Sequence, residues 1–124
     1  MIKPGSSTFT YSRKDWDAAK AEAKSVLRRI ARKETTISYS ELADQIGAIH
    51  LEAFGAPMSH FLGEISVEED ADGHGMLSAV VVHKTGDRKP GPGFYDCASF
   101  LGRDVSDIDK TWANELTNVY RLHS

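Results

Sequence analysis

The sequence predicts an α+β domain, about five helices around a small β-sheet. Three observations predict it. Met76 to Val82 reads MLSAVVV, a continuously apolar, β-branched run of the kind that forms a strand buried on both faces. Ser-x-x-acid capping boxes at Ser12/Asp15, Ser38/Glu41 and Ser106/Asp109 mark helix starts, because each pair satisfies backbone N–H groups of a first turn. Apolar residues at helical spacing follow each box. At 124 residues the chain is long enough for one hydrophobic core, and a single domain over 1–124 is expected.

Residues 1–11 carry Pro4, Gly5, Ser6 and Ser7 before Phe9 and Tyr11, and read as a loose arm or an edge strand. The first helix should run from Ser12 to about Lys33, with Trp16, Ala19, Ala23, Val26, Leu27 and Ile30 on its packed face. Thr35 to Ser38 favours a short strand. A helix of about two turns follows, presenting Leu42, Ala43 and Ile46 and closed by Gly47. Ala48 to Ala56 lacks a clean period and reads as an ordered loop or helical turn. Pro57 suits the first position of a third helix, with Met58, Phe61, Leu62 and Ile65 inward. Phe94 to Leu101, closed by Gly102, is the fourth helix, and Ile108, Trp112, Leu116, Val119 and Tyr120 mark the packed face of the last.

Composition bounds the function. Apolar content of 40% and charged content of 27% are those of a globular protein, and the net charge of −3 argues against a surface that binds nucleic acid all over. The apolar runs are too short to cross a membrane, and the start of the chain has no apolar signal segment, so a cytoplasmic location is expected. A single cysteine, Cys97, excludes an internal disulfide; placed between Phe94 and Leu101, it reads as a small buried hydrophobe.

Recognisable catalytic patterns are missing. His50, His60, His74, His83 and His123 are scattered without HExxH or paired cysteines, and there is no GxSxG elbow. Asp70-x-Asp72 before Gly73 lacks the remaining oxygen ligands of a calcium loop. Val82 stands where a metal-dependent nuclease would carry a carboxylate two residues before Lys84. No metal and no cofactor are expected.

Three charged features remain. Lys20, Lys24, Arg28 and Arg32 repeat every four residues, either as a solvated face or as phosphate contacts. His83 to Gly93 gathers Lys84, Arg88 and Lys89 with Gly86, Gly91 and Gly93 ahead of a helix, either a rigid turn or a site where helix N–H groups hold an anion. Its spacing matches neither the P-loop nor the dinucleotide fingerprint. The acids Glu64, Glu68, Glu69, Asp70 and Asp72 crowd the end of the third helix.

Ile37-Ser-Tyr-Ser-Glu-Leu-Ala-Asp-Gln-Ile-Gly47, followed by a Pro-led helix and a strand, resembles the winged-helix domain of the alkylguanine-DNA alkyltransferases and alkyltransferase-like proteins over about residues 37–82. The resemblance implies a nucleic-acid-binding fold. The family's reactive Pro-Cys-His-Arg strand is replaced here by Leu77-Ser-Ala-Val-Val-Val-His83, so alkyl transfer does not carry over. Helix 58–70 has four acids and no Lys or Arg, unlike a helix that approaches phosphates. The whole chain is also similar to small bacterial proteins with LSAVVV and GPGFY patterns, a likeness that supplies no activity.

The expected function is a non-enzymatic binding module that contacts nucleic acid or another anionic partner through Lys84, Arg88, Lys89, Gly91 and Gly93, with Lys24, Arg28 and Arg32 as a second patch. The alternative is a protein-binding inhibitor or antitoxin-like protein that covers a basic partner with Glu64, Glu68, Glu69, Asp70 and Asp72. A small enzyme without a recognisable motif comes third.

Overall fold

The computed structural model describes residues 9–84, 86 and 88–124. Its elements are α1 (Arg13–Arg32), β1 (Ile37–Ser38), α2 (Tyr39–Gln45), α3 (Ala56–Ala71), a 3-10 turn (Leu77–Val80), β2 (Val81–Val82), α4 (Pro92–Phe100) and α5 (Ile108–Leu122). Five helices and a two-stranded sheet make the expected α+β fold. The strands are parallel, Ile37 opposite Val81 and Ser38 opposite Val82. The loose arm expected at 1–11 lies mostly outside the described residues; Tyr11 is tied down by donating from its hydroxyl to the His50 carbonyl at 2.6 Å.

Met76–Val82 is the centre of the molecule, but most of it is not a strand. Leu77–Val80 coil into the 3-10 turn, packed against α1, α3 and α5, and only Val81 and Val82 extend. The reason lies in where the backbone finds partners. The Met76 N–H donates to Glu115 Oε2 at 3.0 Å and the Ser78 N–H to Ser66 Oγ at 3.1 Å. The Ala79 carbonyl accepts from Trp112 Nε1 at 2.9 Å. Side chains of α3 and α5 thus replace a sheet ladder, which a buried backbone otherwise requires. A wholly apolar run has no period that separates these outcomes.

Ser38 and Glu41 form the expected reciprocal box, whereas at Ser12 only half of it is present, the Asp15 N–H donating to Ser12 Oγ. The third is shifted by one. Asp107 caps α5 by accepting from the Lys110 N–H, while the Ser106 N–H is taken by Asp104 Oδ1. A carboxylate one residue nearer the helix outcompetes the serine hydroxyl. α3 and α4 begin earlier than the apolar pattern suggests, each with proline in its first turn behind a glycine cap.

The apolar face of α1 buries Trp16, Ala19, Ala23, Val26 and Leu27. Its basic edge meets the acidic end of α3. Lys20 Nζ lies 3.0 Å from Glu64 Oε1 and 2.6 Å from Glu68 Oε2, Lys24 Nζ is 2.7 Å from Glu68 Oε1, and Arg28 Nη2 is 2.7 Å from Glu69 Oε1. The four-residue repeat on α1 and the 64/68/69 spacing on α3 form one ionic seam.

Candidate functional site

A cleft of about 400 Å³ opens between α2, α3 and the start of α4. Tyr39 opens α2 on one wall, Phe54 comes from the loop before α3, Met58 and Leu62 lie on α3, and Ser78 sits on the central turn. His83 follows β2, and Gly91, Gly93, Phe94 and Cys97 bring in the first turns of α4. A Cβ on Gly93 would collide with Ser59 Oγ, so glycine is what lets α4 meet α3 here.

Three rings form the mouth. Tyr39 and His83 have ring centres 5.1 Å apart, and Phe54 stacks on His83 at 5.9 Å and 23°. Phe54 is 65% exposed, uncommon for a phenylalanine beside a cavity. The Tyr39 hydroxyl accepts the Gly91 N–H at 2.8 Å and thereby joins α2 to the approach to α4. Burial pushes the Tyr39 phenol above its ordinary pKa, against the lowering effect of that hydrogen bond.

The Gly/Pro-rich loop borders this mouth. His83 N–H donates to the Lys89 carbonyl at 2.9 Å and closes the loop. Lys84 and Arg88 are exposed and enter none of the ion pairs among the described residues. Both lie close enough to α2 to add to the lowering of the Glu41 pKa, which comes chiefly from its hydrogen bonds with Ser38. Lys89 differs: its Nζ lies 2.7 Å from Asp109 Oδ1. Gly91 and Gly93 line the cleft. Thr85 and Asp87 of this loop lie outside the described residues.

The second expected patch does not stand as an open basic stripe. Lys24 and Arg28 are held by Glu68 and Glu69, and Arg32 alone of that trio is fully exposed. The acidic surface is consumed by the same pairing. Glu64 and Glu69 are 0% exposed, and Arg103 grips Asp70 with two nitrogens, at 2.6 and 2.9 Å. Asp72 remains at the surface. Burial opposes the charged forms of Glu68 and Glu69. Hydrogen bonds from Lys20 and Lys24 to the first, and from His74 and Arg28 to the second, nevertheless hold both carboxyls below the usual range.

Glu69, Asp72 and His74 bring ligand atoms within 4.8 Å of one another. Both oxygens of Glu69 are already engaged, Oε1 by Arg28 and Oε2 by His74 Nδ1 at 3.1 Å. That arrangement is accounted for by ion pairing. Cys97 is buried in the cleft wall, and desolvation raises its thiol pKa to about 11, which removes the thiolate a nucleophile needs.

Tyr39 and Phe54 are the cleft residues that sequence reading passes over, and His83 reads there as structural. Tyr39 falls inside the capping motif and Phe54 inside an aperiodic segment; only the fold brings them to His83.

No family model, curated protein or solved structure matches the chain. No helix among the described residues is long and apolar enough to cross a membrane.

Proposed function

We propose that the protein is a non-enzymatic module that binds nucleic acid in single-stranded or locally unpaired form, at the rim formed by the 83–89 loop and Phe54. The observation that carries this reading is the juxtaposition of two exposed cations, Lys84 and Arg88, which enter no ion pair among the described residues, with the exposed ring of Phe54 stacked on His83. Cations beside an accessible aromatic face suit a strand whose phosphates and bases are both reachable. Duplex DNA keeps its base faces stacked and would use the cations alone.

The order β1, α2, α3, β2 supports the winged-helix resemblance of residues 37–82. Approach through α3 is disfavoured by its acids, so the loop side is the contact surface in this reading. Arg32 supplies an additional exposed cation at the end of α1.

Fluorescence anisotropy with a labelled single-stranded oligonucleotide tests it. Affinity should fall as salt rises, and removing two phosphate contacts in a Lys84→Ala/Arg88→Ala variant should reduce the log–log salt slope by about one to two. Phe54→Ala should weaken single-strand binding while leaving that slope unchanged. No binding at low ionic strength, or binding indifferent to all three substitutions, would overturn the reading.

A further inference from the structure

Inside the mouth, the cleft holds hydrogen-bond donors for which no described residue supplies an acceptor. Ser66 Oγ accepts the Ser78 N–H at 3.1 Å and donates its own proton to Ser78 Oγ at 2.6 Å. Ser78 therefore uses an acceptor site, and its hydroxyl hydrogen has no acceptor among the described residues. That side chain is only 6% exposed and lines the cleft. Tyr39, half-buried at the mouth, has its oxygen accepting from Gly91 and finds no acceptor for its phenolic proton among the described residues. A buried donor left unmet is costly, so the Ser78 hydroxyl favours a ligand that brings an acceptor, and the half-buried Tyr39 hydroxyl is available as a further donor.

The rest of the cavity narrows the chemistry. Met58, Leu62, Phe94 and Cys97 give it an apolar floor, and Tyr39, Phe54 and His83 give it flat walls at the entrance. Its volume of about 400 Å³ falls within the range of small-molecule sites. α3 and α4 both start at this cleft from glycines, Gly55 and Gly91, without a capping side chain or an acid in the first turn. Their positive ends favour negative charge there. Asp96 also lines the cleft and is exposed, so it opposes ligands with more than one negative charge.

We propose that the cleft is a binding site for a small, free, planar aromatic monoanion of the aromatic carboxylate class. The ring lies against the apolar floor behind Phe54, and the carboxylate accepts the Ser78 hydroxyl, with Tyr39 as the second donor. This site is interior to the rim assigned to nucleic acid and does not rest on that reading.

Calorimetric titration with 2-naphthoate tests it, with 2-naphthylmethylamine as the same ring carrying the opposite charge. Saturable binding of the carboxylate, and much weaker binding of the amine, is expected. Ser78→Ala should weaken naphthoate binding about tenfold, the value of one hydrogen bond to a charged group. Because that substitution also strips the acceptor from buried Ser66, the exposed Phe54→Ala is the second variant, expected to weaken binding about threefold or more without unfolding the protein. Absence of saturable naphthoate binding, equal binding of the amine, or undiminished binding by Phe54→Ala would overturn the proposal. Naphthoate binding in a protein that ignores oligonucleotides would leave this inference standing and remove only the nucleic-acid reading.

Discussion

Lys24 Nζ lies 2.7 Å from Glu68 Oε1, joining residues 44 positions apart and closing α1 against α3. Glu68 also receives Lys20 at 2.6 Å, so one carboxylate bridges two ammonium groups, with Glu64 as the second acid on Lys20. Lys20 is nearly buried; burial alone would lower its pKa, but Glu68 and Glu64 outweigh it and raise the value. The strength of this seam depends on keeping every charge matched.

Removing one partner should therefore cost more than an exposed pair would. Glu64→Gln removes the charge that Lys20 Nζ and Trp16 Nε1 both contact, at 3.0 and 3.1 Å, inside a fully buried site. A loss of about 3 kcal/mol is expected in urea unfolding. Arg13→Ala, at an exposed pair with Asp17, should change stability by less than about 0.5 kcal/mol.

Acid should loosen the same seam. Glu68 and Glu69 have folded-state pKa values below the ordinary carboxylate value, so the unfolded chain binds more protons in acid. Their contribution is present above the unfolded carboxylate pKa of about 4.3 and is lost as pH falls through the lower folded values. Stability measured from pH 6 downward should fall in this window, and Glu68→Gln should flatten the fall. An unchanged acid limb in that variant would refute the assignment.

Cys97 should be chemically silent until the protein opens. With its thiol pKa at about 11, the thiolate fraction at neutral pH is on the order of a hundredfold below that of a free cysteine, and the residue is only 1% exposed at the cleft floor. Reaction with an aromatic disulfide at pH 8 should be slow for the native protein and complete within minutes in denaturant. Comparable rates in both would contradict the burial.

Gly93 and Ser59 should be coupled. Gly93→Ala forces α4 away from α3 through Ser59 Oγ and should cost about 1–3 kcal/mol. Ser59→Ala removes that oxygen and leaves its Cβ 3.4 Å from the new methyl group, so the double variant should recover part of the loss in a double-mutant cycle. Additive effects would show that the two helices do not meet at this point.

The helices were largely legible from Ser12, Ser38 and the apolar spacing, because caps and amphipathic faces are local signals. The form of Met76–Val82 was not, since its backbone is satisfied by Ser66, Trp112 and Glu115, each more than ten residues away. The two charge clusters were visible, but their mutual cancellation depends on α1 lying against α3. The basic loop was legible as a cluster. Its aromatic neighbours, Tyr39 and Phe54, come from separate segments that no spacing connects to His83.

The side chains with which α5 holds the central turn also set the order of events at the ribosome. Trp112 and Glu115 must leave the exit tunnel before the Ala79 carbonyl and the Met76 amide find their partners. Until then the Leu77–Val82 segment, buried in the folded protein, lacks the partners that α5 supplies. The interior of the domain therefore closes only when α5 docks, with Trp112 and Glu115 as its clasp.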